Sequence, residues 1–291
     1  MTSNPLAKSL SESGLSIQNR IRFALLMECT AIKAGNVHPS ASFHDLTYPQ
    51  FIAAATAIGD RMNDCINEPL GRIVLQSVKA MMQRVGTNTS LGTILLIAPL
   101  AVAVHRLEKE GKTIAELPVY IGETLSHLDS HDSQCIYEAI RMAKPGGLGE
   151  TRAMDIQQVA PESILLAMQT AAAWDDVALQ YATGFELVLE YAKRISDKGA
   201  LGPACLETIR MLQIEILSER IDSLIARKRG MGFANQVQAE AKKVLLAGPY
   251  GSEAFERSWS AFDAFLRDEK HGGNPGTIAD MIAAALFVAL S

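Results

Sequence analysis

PACLETIRMLQIEILSERIDSLIA, residues 203–226, decides the fold class. Its apolar residues Leu206, Ile209, Leu212, Ile216, Leu217, Ile221, Leu224 and Ile225 recur mostly at intervals of three and four. That period gathers them on one face of a long amphipathic helix, with Glu207, Arg210, Glu219 and Arg220 mostly elsewhere. The same spacing predicts helices over residues 17–33, 48–63, 68–84, 91–107, 133–143, 161–174, 185–196, 234–246, 253–267 and 277–290. Pro161 and Pro203 suit first helical turns, where an absent N–H leaves nothing unpaired. Alternating β-branched runs are almost missing; Pro-Val-Tyr-Ile at 118–121 is the best strand candidate and is too short to build a sheet. The expectation is an all-α chain. It forms a single compact multi-helix domain over residues 16–291, with its site in the interhelical loops, after a flexible Ser-rich terminus of residues 1–15.

Composition narrows the function classes. The chain has 291 residues, 48% of them hydrophobic and 20% charged, enough apolar material for a large core. A net charge of −5 argues against a broad nucleic-acid footprint. Cys29, Cys65, Cys135 and Cys205 are dispersed, form no CxxC pair, and read as small core residues in a reducing compartment. The polar N-terminus lacks the apolar run of a signal peptide. Two apolar stretches, 91–104 and 278–290, fall short of the roughly 20 residues that a spanning helix needs. They read as buried core helices, so the expected protein is cytoplasmic and makes no membrane or nucleic-acid contact.

Chemistry-bearing residues concentrate in the loops. Glu28 lies on a helix that runs through Lys33 to Gly35 and then into Asn36-Val-His-Pro39; this is either a glycine C-cap or a ligand loop. His44-Asp45 precedes the next helix, where Asp45 could cap it or coordinate magnesium. Gly86-Thr-Asn-Thr-Ser-Leu-Gly92 leads into an apolar helix, so its backbone N–H groups could receive an anion. It has no lysine and is not a GxxxxGK[ST] loop. Gly146, Gly147 and Gly149 permit close backbone approach, with Glu150 the adjacent acid. Arg227, Lys228 and Arg229 at a helix end could offset its dipole or receive phosphate. His271-Gly-Gly-Asn-Pro-Gly-Thr-Ile-Ala-Asp280 closes the set; Thr277 and Asp280 have capping-box spacing, yet Asp280 is the one charge in an otherwise apolar helix. His127-Leu-Asp-Ser-His-Asp132 suggests metal, but no closed ligand set accompanies it, and a helix cap at Ser130 or Asp132 is the plainer reading.

In order and content these elements resemble the triphosphoribosyl-dephospho-CoA synthase family. The resemblance rests on Glu28 with Lys33 and Gly35, His44-Asp45, Asn88-Thr89 with Gly92, Gly147-Leu-Gly-Glu150, Asp222 with the turn to Gly230, and Gly272 to Asp280. It implies an enzyme that acts on small-molecule nucleotides. The 2′-hydroxyl of 3′-dephospho-CoA would attack C1 of the ATP ribose, adenine would leave, and the triphosphate would travel with the ribose. Such chemistry calls for Mg²⁺, cations on the triphosphate and a carboxylate near the hydroxyl. On that resemblance Glu150 and Asp280 are the catalytic candidates. Glu28, Lys33, Asn36, His38, Asn88, Thr89, Gly92, Arg227, Lys228 and Asn274 are expected to bind substrate, and Asp45 and Asp222 to bind metal.

The chain also departs from the family pattern. The first loop reads Ile32-Lys-Ala-Gly-Asn-Val-His38 where relatives usually have a Pro-Lys-Pro-Gly-Leu-Val-Asp-like stretch. Ser90 and Leu91 stand where basic residues are usual, and Leu148 replaces an arginine. These features place it nearer to divergent archaeal and methylotroph-like members. Two alternatives therefore stay open: a related ribosyl or phosphoribosyl transfer in methanopterin-type cofactor assembly, and a non-catalytic nucleotide-binding homologue. A homo-oligomer is compatible with the sequence.

Overall fold

The computed structural model describes residues 14–145, 159–198, 204–267 and 271–291. The expected flexible terminus falls almost wholly outside these residues. Among them are thirteen α-helices, one 3₁₀ turn at Ile114–Glu116 and no strand, so the fold is all-α. The helices are α1 Ile17–Thr30, α2 Tyr48–Asp64, α3 Leu70–Val85, α4 Leu91–Lys109, α5 Leu117–Ser126, α6 Ser130–Ala143 and α7 Ile164–Ala171. They continue as α8 Asp176–Thr183, α9 Glu186–Asp197, α10 Cys205–Glu219, α11 Ser223–Leu246, α12 Glu253–Leu266 and α13 Gly276–Ala289.

Two nearly all-apolar helices organise the packing. α13 packs on α1, α4 and α9, and α10 and α11 also touch it. α4 in turn packs on α3, α5 and α13. Ile94, Leu96, Leu100, Ile278, Met281, Leu286 and Phe287 are wholly buried along this pair and join one hydrophobic cluster that runs through the described helices. Burying each such side chain contributes on the order of 1.5–3 kcal/mol. Leu91–Lys109 has 19 residues and is apolar enough to cross a membrane by length and composition, longer than the sequence stretch suggested; 72% of its apolar window is buried inside the protein. Burial rather than length makes it a core helix.

Local signals set the helix starts. Ser16 accepts the Asn19 N–H, Asp175 those of Val177 and Ala178, and Ser252 that of Phe255. Thr47 and Gln50 close a reciprocal capping box on α2. Asp129 caps α6, with Asp132 as the returning partner, one residue away from the expected cap. Asp132 Oδ1 also accepts the Gly71 N–H at 2.7 Å and so ties α6 to α3, which gives this acid a structural task.

Three expectations change. Residues 118–121 belong to helix α5, because Leu117, Tyr120, Ile121, Thr124 and Leu125 bury one helical face and Pro118 fits its first turn. The predicted 203–226 helix is two helices. It breaks at Arg220, whose backbone is extended, and Asp222 starts α11. Arg227, Lys228 and Arg229, expected at a helix end, lie inside α11, which runs on to Leu246 and kinks at Gly230 (φ 81°, ψ 163°), a conformation glycine adopts without a Cβ clash.

Candidate active site

A cavity of about 660 Å³ opens between the starts of α4 and α13, the loops before α2 and α8, and the first turns of α11. That lies within the size range of small-molecule sites. Its floor is built where α4 meets α13. Asn88 Oδ1 accepts the Leu91 N–H at 3.0 Å and so stands in for the cap that Ser90 does not supply. One residue further on, Gly92 faces Asp280. A Cβ at this position would land on Asp280 Oδ2, so glycine here makes room for the carboxylate. The Thr93 hydroxyl donates to Asp280 Oδ1 at 2.5 Å. Desolvation pushes Asp280 up to about 7, against the Thr93 hydrogen bond and with help from the negative charge of Glu28. The result is a carboxyl group on a cavity floor, poised to exchange a proton near neutral pH.

Asp280 is free for that position because another acid holds the helix start. The expected Thr277–Asp280 capping box does not form: α13 has Pro275 at its cap position and no side-chain cap from its own sequence. Asp222 supplies the acceptor instead. Its Oδ1 takes the Leu224 and Ile225 N–H groups at 2.9 and 3.0 Å, and Oδ2 takes the Ile278 N–H at 2.8 Å. One carboxylate thus caps α11 and α13 together. Burial pushes Asp222 up to about 6, opposed by these three N–H groups. Asp222, expected as a metal ligand, is not among the residues lining the cavity.

The loop after α1 forms a second wall. Gln213 clamps it, accepting the Ala34 N–H at 2.9 Å and donating to Ala34 O and to Asn36 Oδ1 at 2.9 and 2.7 Å. Asp263 Oδ1 takes the Gly35 N–H at 2.8 Å, and Arg267 donates to Asn36 O at 2.8 Å. Gly35 has φ 72° and abuts Leu266 and Pro275, so both its conformation and its space require glycine. Asn36 passes this rigidity on by donating to Asn274 Oδ1 at 2.7 Å, joining two cavity loops.

Lys33 and His38 belong to the support rather than the surface. Lys33 Nζ is fully buried, pairs with Glu28 Oε1 at 2.8 Å and donates to Glu28 O. It neutralises and orients Glu28, which does line the cavity. His38 is 4% exposed and accepts the Ser40 N–H on Nδ1 at 3.3 Å. Desolvation, with Arg267 nearby, lowers its pKa to about 4, so the ring is neutral at physiological pH.

Cations gather near the mouth. Arg227, Lys228 and Lys144 line the cavity, and Arg227 is held by Asp175, the cap of α8. Lys228 Nζ reaches His271 O at 3.4 Å. Ser90 and Leu91 also line the cavity and add no charge, so its positive residues come from elements distant in sequence.

Of the expected site residues, Glu28, Asn36, Asp45, Asn88, Thr89, Gly92, Arg227, Lys228, Asn274 and Asp280 share this one cavity. Lys33, His38 and Asp222 stand behind it, and Glu150 lies outside the described residues. Sequence reading passed over Thr93, Lys144, Asp175 and Trp174. Trp174 is 47% exposed at the cavity wall, and a lone tryptophan ending a helical pattern is the signal that could have drawn attention to it.

Comparison with known proteins gives concordant findings. The model of the ATP:dephospho-CoA triphosphoribosyl transferase family matches residues 15–291. Among curated proteins there is no match. A crystal structure from Archaeoglobus fulgidus, described as a candidate triphosphoribosyl-dephospho-CoA synthase, superposes with a TM-score of 0.62 at 26% identity. The match covers 82% of this chain and 97% of that one.

Proposed function

Since the chain belongs to the ATP:dephospho-CoA triphosphoribosyl transferase family and is a transferase, we propose that it moves the triphosphoribosyl group of ATP to the 2′-hydroxyl of 3′-dephospho-CoA. The bond from that oxygen to C1 of the ribose forms, and the bond from C1 to N9 of adenine breaks. The hydroxyl proton passes to a protein base and from there to solvent, and the departing adenine takes one proton from solvent on its ring, so protons balance over the turnover. The observation that carries this reading is the convergence of Asp280, Asn88, Thr89, Gly92, Arg227 and Lys228 on one cavity.

Asp280 is the proposed base. A pKa of about 7 lets its ionised form take a proton from an attacking hydroxyl near neutral pH. The Asn88–Thr93 segment, opening α4, offers polar groups beside it. Arg227, Lys228 and Lys144 suit the triphosphate by charge. Arg227 would exchange part of its pairing with Asp175 for phosphate oxygens. Glu150 remains a second proposed acid on the family resemblance alone.

Mg²⁺ is the proposed companion of ATP, and a divalent ion neutralises phosphate charge in such transfers. One carboxylate of the cavity is accessible to it. Asp45 lines the cavity with its side chain 59% exposed, whereas Glu28 is engaged by Lys33 and Asp222 by three N–H groups. Magnesium usually takes one or two carboxylates and fills its shell with phosphate and water, which a single exposed acid satisfies.

The test is adenine release, followed by chromatography, with Mg²⁺-ATP and 3′-dephospho-CoA each omitted in turn. Adenine should appear only with both substrates present and disappear in Asp280→Asn. Adenine from ATP alone would mean glycosidic hydrolysis, and none under any condition would remove this substrate pair.

A further inference from the structure

His44, Asp45 and His271 come together at the mouth of the cavity, two from the loop before α2 and one from the loop before α13. The ligating atoms of all three lie within 4.8 Å of one another. Asp45 Oδ1 is 2.8 Å from His271 Nε2 and 3.5 Å from His44 Nδ1. The His271 side chain is 13% exposed, yet its Nε2 makes no hydrogen bond of acceptable geometry, even to the carboxylate it faces. A buried nitrogen that approaches an oxygen closely without directing an N–H at it is arranged like a second ligand of a shared ion.

We infer that His44, Asp45 and His271 hold a divalent first-row transition ion of the class that accepts imidazole, such as Zn²⁺, Mn²⁺, Fe²⁺ or Co²⁺. Imidazole nitrogen suits these ions, whereas Mg²⁺ prefers a shell of oxygens. A tetrahedral ion with bonds of about 2.0–2.2 Å sets its donors about 3.3–3.6 Å apart. His44 Nδ1 already stands 3.5 Å from Asp45 Oδ1, and His271 Nε2, at 2.8 Å, would draw back by about 0.5 Å as the ion enters between them. The remaining spread is within reach of a side-chain rotation at His44, which is 76% exposed. Three protein ligands leave a fourth position open, the arrangement of reactive rather than purely structural sites.

The surroundings hold His271 for such a role. Its carbonyl accepts from Lys228 Nζ at 3.4 Å and from the Asn274 N–H at 3.3 Å, and the Phe43 ring lies 3.9 Å from its own. Fixing a ligand through its neighbours raises metal affinity. Asp45 and His271 both line the cavity, beside Lys228, so the open position faces whatever fills it. This deepens the proposed function and moves Asp45 from Mg²⁺ to this ion: on that reading the open position meets a triphosphate oxygen, and the Mg²⁺ of the nucleotide is held by phosphate oxygens and water.

The experiment uses the full-length chain without an affinity tag, stripped by chelator and titrated with Co²⁺ by calorimetry and visible absorption. One Co²⁺ per chain should bind, with visible bands that survive about a hundredfold excess of Mg²⁺. His44→Ala and Asp45→Asn should each weaken binding by about tenfold or more, and both positions are exposed, so the fold should persist in melting curves. Absence of Co²⁺ binding, displacement by equimolar Mg²⁺, or affinity unchanged in both variants would overturn the inference. Adenine release is scored separately. Release without a Co²⁺ site sinks the metal alone, and a Co²⁺ site without release sinks the transfer reaction alone.

Discussion

Asp222 and Asp280 stand close to the start of α13, and both are held above the ordinary carboxylate range by burial. Asp222 spends both oxygens on three backbone N–H groups from two helices. Among the described residues the Asp280 carboxyl is held by Thr93 alone, through its hydroxyl and its backbone N–H, and turns toward the cavity. The difference is one of division of labour. A helix start needs an acceptor for its first N–H groups, and in most helices the residue at the cap or three positions later provides it. Here an acid 56 positions away does so, and the acid at the capping-box position is released. Asp222 is therefore read as structure and Asp280 as chemistry.

The sharpest way to break this comparison is Asp280→Asn. Adenine release should fall by about 10²–10⁴, the usual contribution of a positioned acid–base group, while the melting temperature stays nearly unchanged. A variant that melts early with proportionate activity loss would show that Asp280 is structural after all. Gly92→Ala comes next. Its Cβ must displace the Asp280 carboxylate, and a misplacement of about 1 Å costs on the order of 10²-fold in rate. Steady-state kinetics should show the loss in kcat, with the circular dichroism spectrum unchanged.

Asp222→Ala should act in the opposite sense. It orphans three N–H groups at buried helix starts, a cost of about 3 kcal/mol, read as a large fall in the denaturant midpoint. Wild-type stability in this variant would mean that water satisfies those groups and that the division of labour is illusory. The smallest effect concerns pH. A base must be ionised, so the rate should rise as pH climbs through about 7, the value at which Asp280 titrates. The Thr93 hydroxyl favours the ionised form, so Thr93→Val should move that limb upward by about 1 unit. A limb that stays in place would assign the titration to another group.

Helical periodicity was legible throughout, because it depends on neighbours three and four residues apart. It erred where breaks are made from a distance. Residues 203–226 carry an unbroken apolar face, and nothing in their spacing reports that Arg220 is extended or that Asp222 begins a new helix. Residues 118–121 looked strand-like because Val, Tyr and Ile favour strands, yet burial of one helical face of α5 outweighs that preference. The loop residues singled out by the sequence are divided by the fold: most line the cavity, while Lys33, His38 and Asp222 stand behind it. Lys33 and Glu28 look equally available as letters; in the fold one is fully buried under the other.

What the sequence determined by itself is the all-α class, most helix positions, the family, and the set of polar loops from which the cavity is drawn. These rest on local periodicity, capping residues and ordered motifs, and each can be read within a few turns of chain. Tertiary structure alone decided that Asp222 caps α13, that Gly92 yields space to Asp280, and that Asp45 meets two histidines. Asp222 with Ile278, Gly92 with Asp280 and Asp45 with His271 are contacts between segments far apart in the chain, made only once the helices bury their apolar faces against one another. Which carboxylate is left free for chemistry then depends on which N–H groups the packing leaves unpaired.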